Sequence, residues 1–175
     1  LNFDDLAEKQ ISTQKIFDGR ILHVSVDTVR LPNGETTTRE YISHLGAVGI
    51  VPVTDDGEVI IERQFRYPMH DIFTEIPAGK IDSVNEDPFD AAKRELLEET
   101  GITADEWTKL GCYHPAAAYS SEKVTLYMAR GLHMGSQKLD KDEFLNVIKL
   151  PMTEAVDMIM AGEITDGKTI SAILM

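Results

Sequence analysis

The segment AAKRELLEETGI, Ala91 to Ile102, sets three glutamates and two bases on one short stretch and then stops on a glycine. Phe89, Ala92 and Leu96 recur at the period of a helix with one face against a core. Asp87 suits the N-cap, Pro88 the first helical position and Asp90 the first turn, while Gly101 reads as the residue past the C-terminal end. On that helix Glu95, Glu98 and Glu99 fall at i, i+3 and i+4 and share a different face, with Ala91 one turn earlier leaving room beside them. Like charges at these spacings repel, and the negative end of the helix dipole adds to the penalty. Two readings meet this conflict. One is a solvated glutamate patch, the usual account of a Glu-rich helix. The other is a hard divalent cation, which takes oxygen ligands and reverses the sign of both effects.

The rest of the chain mixes strands and helices. GRILHVSVDTVRL alternates in the strand manner, PNGE marks a turn, and TTTREYIS follows as a β-branched strand, so residues 11–44 read as a small antiparallel unit. AVGIVPVTDDGEVIIERQF reads as a hairpin about Asp55 to Gly57, and DIFTEIPAG as a short strand ending in a loop. VTLYMAR and FLNVIKL are further strands, Thr153 to about Ala161 is a helix closed by Gly162, and DGKTISAILM is a last helix. Without the regular alternation of a doubly wound fold, the expectation is an α+β protein with a mixed sheet between helices.

With 30 acidic against 17 basic residues, the net charge of −13 offers no basic field to draw in nucleic acid or an anionic membrane. It leaves room for an anionic small molecule held by a few local cations. The single cysteine, Cys112, forms no intrachain disulfide, and in KLGCYH it reads as a small buried or half-buried side chain. No apolar run has membrane-spanning length, and LNFDDLAEKQ lacks the basic and apolar parts of a signal peptide, so a cytoplasmic protein is expected.

Read with its flanks from Gly79, GKIDSVNEDPFDAAKRELLEETGI resembles the signature of the Nudix hydrolases: a glycine, a later glutamate, Arg-Glu, an apolar residue, Glu-Glu and Gly-apolar. Glu86, Arg94, Glu95, Leu96, Glu98, Glu99, Gly101 and Ile102 carry the match. It departs once, with one residue more than the signature has between Gly79 and Glu86, so that Asn85 stands at the usual glutamate spacing. The extra residue falls in a loop and leaves the helix register untouched. REYISH, AVGIVPV, ERQFRYP, EIPAGKID and DEFLNVIKLP further resemble the ADP-ribose pyrophosphatase branch of that superfamily, from about Phe17 onward.

The resemblance implies a Nudix fold, with residues 1–44 as an N-terminal β unit that builds a homodimer and covers the substrate, and residues 45–175 as the catalytic domain. It implies hydrolysis of the pyrophosphate of ADP-ribose to AMP and ribose 5-phosphate with Mg²⁺, or Mn²⁺ in its place. Glu95 and Glu99 would be principal metal ligands, Glu98 a further ligand or the group that orients a metal-bound water, and the Ala78 carbonyl would complete the site. Arg94 would hold the motif's early glutamate or brace the helix. For general base the resemblance points to a carboxylate outside the helix, Glu143 first, then Asp142, with Glu122 a weaker supporting acid. Arg66 matches an arginine on the substrate phosphates. Arg39 and Glu40 match a pair that reaches the adenine from the partner subunit. His114 reads as structural or exposed. HPAAAYSSE carries Ala117-Ala118 where ADP-ribose-selective members tend to show a second proline and a glycine, which keeps open another nucleotide-sugar such as GDP-mannose. A sensor that binds ADP-ribose without cleaving it is a third reading, which the retained glutamates disfavour.

Overall fold

A computed structural model describes residues 5–139, 141 and 143–175. The chain divides into two compact units, Leu1–His44 with Ala116–Glu122, and Leu45–Pro115 with Lys123–Met175.

The first unit is an antiparallel sheet of β1 (Lys9–Asp18), β2 (His23–Arg30) and β3 (Thr36–Ser43), in that order. The turn at PNGE forms with Gly34 at φ +91°, a conformation that costs glycine little. Residues 116–122 are stitched to β3 by Ile42 N–H to Tyr119 O at 2.8 Å and Ser121 N–H to Ile42 O at 3.0 Å, so the run Ala116 to Ala118 belongs to this unit. Every residue of β1 is exposed.

The second unit holds β4 (Ala47–Pro52), β5 (Glu58–Arg66), β6 (Asp71–Glu75), β7 (Ala78–Lys80), α1 (Pro88–Thr100), β8 (Ile102–Tyr113), β9 (Val124–Met134), β10 (Leu145–Pro151), α2 (Met152–Ala161) and α3 (Gly167–Leu174). One sheet runs β7-β4-β9-β8, with β4 parallel to β9 and the other pairs antiparallel. The other is antiparallel, β10-β5-β6. The sandwich follows from alternation along the strands. Val48, Ile50, Ile60, Tyr127 and Ala129 pack with Ala91, Ala92 and Leu96 of α1. Their neighbours Val51, Val59, Ile61 and Leu126 pack with Ala155 of α2 and Ala172 of α3.

Two expectations give way. The turn at Asp55 to Gly57 forms, yet β4 and β5 join different sheets, with the Val53–Val59 bridge as the isolated ladder pair at their junction. All six residues of β4 are buried, and a run covered on both faces belongs at the centre of a sheet, between β7 and β9, rather than in a two-stranded hairpin. Cys112 is exposed, because β8 is an edge strand and a register shift between Lys109 and Gly111 turns its following residues.

Helix α1 has the expected limits. Asp87 caps it by accepting the Phe89 N–H at 2.8 Å, and Gly101, at φ +72°, returns its N–H to Leu97 O. Phe89 meets Trp107 edge-on at 5.5 Å, which seats the apolar face. Beyond the helix, Lys138 N–H donates to Glu98 O at 2.9 Å and Gln137 Nε2 to Glu99 O at 2.6 Å, so the terminal carbonyls find donors. A side chain at position 101 would be strained by its φ and would stand 2.6 Å from the Ser136 carbonyl carbon. Gly101→Ala is therefore expected to cost more than about 1 kcal/mol and lower the Tm by several degrees. A thermal melt within one degree of wild type would contradict this account.

Candidate active site

The repulsion among the α1 glutamates is answered first by Arg94. Its Nε donates to Glu86 Oε1 at 3.0 Å, its Nη1 to Glu95 Oε1 at 2.7 Å and to Glu98 Oε2 at 3.1 Å, and its Nη2 to the Lys80 carbonyl at 3.1 Å. Partial burial disfavours the Arg94 charge, but bonds to Glu86 and Glu95 override it and raise its pKa. The same contact lowers the pKa of Glu86, which also accepts the Asp82 N–H at 2.6 Å. The loop that carries the extra residue thus closes on Glu86 itself, and Glu86, not Asn85, is the early glutamate that Arg94 holds. Gly79 lies under Glu95 so closely that a Cβ there would overlap its carboxylate.

Glu99 faces inward and is almost fully buried. It accepts the Ala78 N–H at 2.8 Å, which seats the β7 peptide beside the end of α1. Burial, then the charges of Glu62 and Glu95, push its carboxyl up to about 10. Glu95 is also raised, by burial first, against the pull of Arg94.

Three participants were not foreseen from sequence. Glu62 and Glu75 stand opposite each other on β5 and β6 and are both about 99% buried, hence on one face of that sheet. Glu75 stays ionised. Burial works against its charge, but Arg66 grips it from Nε and Nη2, each at 2.7 Å, and Lys168 of α3 makes a further ion pair, so its pKa falls. Burial and the Glu75 charge instead push Glu62 up to about 8. Its position two residues after inward-facing Ile60 was the signal available; Lys168, in an ordinary amphipathic helix, gave none.

The remaining expected residues fall as follows. Glu143 is half-buried and acts electrostatically on both Glu62 and Glu99. It borders a groove of about 460 Å³ lined also by Arg63, Phe65, Ile72 and Phe144. Asp142 lies outside the described residues. Glu122 belongs to the first unit, with its carboxylate 4.0 Å from His44 Nε2. In that unit Arg39 pairs with Glu8 through bonds of 3.0 and 2.6 Å, and Glu40 is exposed on the same strand. His114 is exposed.

A carboxylate-rich helix face braced by Arg94 and joined to β7 in this way suits an anion-rich reaction, and the chain belongs to the Nudix family: the NUDIX domain matches residues 43–172. The nucleoside diphosphate sugar hydrolase N-terminal domain matches residues 8–42. The chain is 39% identical over 170 residues to an ADP-ribose pyrophosphatase of Bacillus subtilis, covering 96% of this chain and 91% of that one. It is 39% identical over 168 residues to a methanol dehydrogenase activator of Bacillus methanolicus, covering 95% and 90%. A solved structure of an ADP compounds hydrolase shares the fold, with a TM-score of 0.83 over 95% of this chain and 90% of that one at 24% identity.

Nudix hydrolases work with divalent metal ions, and the donor set fits one. Glu95, Glu98, Glu99 and the Ala78 peptide offer only hard oxygens, and the glycine at 79 leaves the space that Glu95 fills. Among the described residues no three acidic, histidine or cysteine side chains already converge on a metal position, and Arg94 bonds to both Glu95 and Glu98. Between the ordinary carboxylate value of 4.5 and about 8, the folded state retains protons on Glu62 and Glu99 that the unfolded chain has lost. Stability of the metal-free protein should therefore fall as pH rises from 5 to 8, and Mg²⁺ should restore it most at the upper end. Scanning fluorimetry at several pH values checks this; a Tm that rises with pH without metal would contradict it.

Proposed function

We propose that this chain hydrolyses the pyrophosphate of ADP-ribose, with water, to AMP and ribose 5-phosphate. The observation that carries the reading is the carboxylate face of α1, Glu95 and Glu98 half-buried and Glu99 buried, on a chain alike over nearly its whole length to an ADP-ribose pyrophosphatase. Glu95, Glu98, Glu99 and the Ala78 carbonyl would hold Mg²⁺, with Mn²⁺ as a substitute. When bound, the ion would neutralise pyrophosphate oxygens that otherwise repel a nucleophile. Arg66, fixed by Glu75 through Nε and Nη2, keeps Nη1 for a phosphate oxygen. Glu143, coupled to the same carboxylates, would take the proton from the attacking water, and Arg94 would keep the metal-binding face in place. In a homodimer, Arg39 and Glu40 would reach the nucleobase bound by the other subunit.

The first unit supports a homodimer. Ile11, Ile16, Phe17, Ile21 and Leu22 are all exposed in the single chain, an apolar surface that a second copy would cover. Light scattering should give twice the 19.5 kDa chain mass. One observation favours a second reading of the substrate: Ala117-Ala118 remove the side-chain and backbone constraints expected of an ADP-ribose-selective loop, which suits a nucleotide-sugar such as GDP-mannose.

A substrate panel with Mg²⁺, run beside Glu98→Gln, separates these. ADP-ribose is expected to turn over fastest, with kcat at least 100-fold lower in the variant. Faster cleavage of GDP-mannose would favour the second substrate, and binding of ADP-ribose with no turnover of any compound would leave a sensor. In the same assay Gly79→Ala should lose at least tenfold in kcat, because the new methyl drives the Glu95 carboxylate out of its place beside Arg94.

A further inference from the structure

Two acids of the first unit compete for the Arg39 guanidinium. Asp27 is its direct partner in the β2–β3 register, so both side chains leave the sheet on one face with their Cβ atoms about 5 Å apart. Asp27 is 8% exposed; its Oδ2 accepts from Gln10 Nε2 at 2.7 Å, and its Oδ1 is buried without a hydrogen-bond partner. Arg39 nevertheless turns to Glu8, which precedes β1 and is the more exposed acid. Its Nε donates to Glu8 Oε2 at 3.0 Å and its Nη2 to Oε1 at 2.6 Å, while Nη1 donates to the Thr38 carbonyl at 3.1 Å. A sheet arranged for stability alone would pair its arginine with the buried acid, because an orphaned buried oxygen costs more than an exposed ion pair returns. The bond to Glu8 instead keeps the guanidinium at the surface, where the Arg39 side chain retains 48% exposure. With one edge on Glu8 and Nη1 on the backbone, the group is held in a fixed plane and offers its flat face and its remaining N–H donors.

We propose that Glu8 is a positioning residue for the nucleobase contact: it holds Arg39 away from Asp27 and sets the plane of the guanidinium that meets the base. The inference rests on the reading of Arg39 as a nucleobase contact across a homodimer. Without Glu8, Arg39 turns to the unpartnered Oδ1 of Asp27 and is drawn below the surface. Binding of the base then weakens, while the carboxylates of α1 and their chemistry are untouched.

Steady-state kinetics of the full-length protein, with Mg²⁺ and the nucleotide-sugar that turns over fastest, test this. Glu8→Gln, Asp27→Asn, the double variant and Arg39→Gln are compared, each checked for folding by a thermal melt. Glu8→Gln should raise KM about three- to fivefold, the range that an exposed bidentate pair supports, with kcat within about twofold of wild type. Adding Asp27→Asn should return KM to within about twofold of wild type, because the competing acid is gone; two merely structural losses would add instead. Arg39→Gln should raise KM at least as far as Glu8→Gln does. If Arg39→Gln raises KM and Glu8→Gln does not, Arg39 works without Glu8, and the inference is overturned with the nucleobase reading intact. If neither raises KM, the nucleobase reading of Arg39 fails and takes the inference with it. If Glu8→Gln lowers kcat and Tm together at unchanged KM, the pair only staples the sheet, which also overturns the inference. Should no compound turn over, the hydrolase reading fails, and the same ratios are read from the Kd of ADP-ribose by isothermal titration.

Discussion

Arg94 is the contact on which the geometry of the second unit's site rests. One guanidinium reaches Glu86 before the helix, Glu95 and Glu98 on it, and the Lys80 carbonyl of β7. An isolated helix would not keep three carboxylates near its negative end; here a planar cation with five donors spreads over them and ties helix, loop and strand into one frame. Because the fork takes only part of each carboxylate's capacity, a metal can still find free oxygens on Glu95 and Glu98. The arginine is thus a brace that also keeps the acids spaced.

A second hub sets the inner wall. Glu75 gathers Arg66 and Lys168, one from β5 and one from α3, and Thr169 next to Lys168 accepts the Ile76 N–H at 2.9 Å. The start of α3 is itself capped by Asp166, which accepts the Thr169 N–H and also lies 3.1 Å from Lys168. Arg66, the residue proposed to meet the substrate phosphates, is therefore fixed from two elements distant in sequence. Arg66 keeps its reach because its partner is immobile, and Glu75 is immobile because the strand and the helix cap hold it.

The sequence made α1 legible to the residue, since its cap, proline, apolar period and glycine are all local signals. The shared face of Glu95, Glu98 and Glu99 was legible for the same reason: their spacing alone places them together. What escaped was non-local. The assignment of β4 and β5 to different sheets depends on β9, some seventy residues later, pairing in parallel with β4. Nothing local to Glu62 or Glu75 names a partner, and only the β5–β6 register places them face to face under burial. Lys168 was invisible because a lysine on a short helix announces no partner. The loop at Ala116 to Ala118 was read for its substrate chemistry, and its attachment to the N-terminal sheet through Ile42 was not legible either.

The two buried acids of β5 and β6 show how such a site distributes charge. They sit opposite each other with nearly equal exposure, yet one is pulled below the usual carboxylate range and the other pushed above it. Burial is common to both, so it cannot be what separates them. The difference lies in where the cations are: Arg66 and Lys168 bond to Glu75 and reach Glu62 only through space. Two cations satisfy one acid twice and leave the next without a partner, an arrangement that is unfavourable for a resting apolar core, where replacing the unpaired acid would be stabilising.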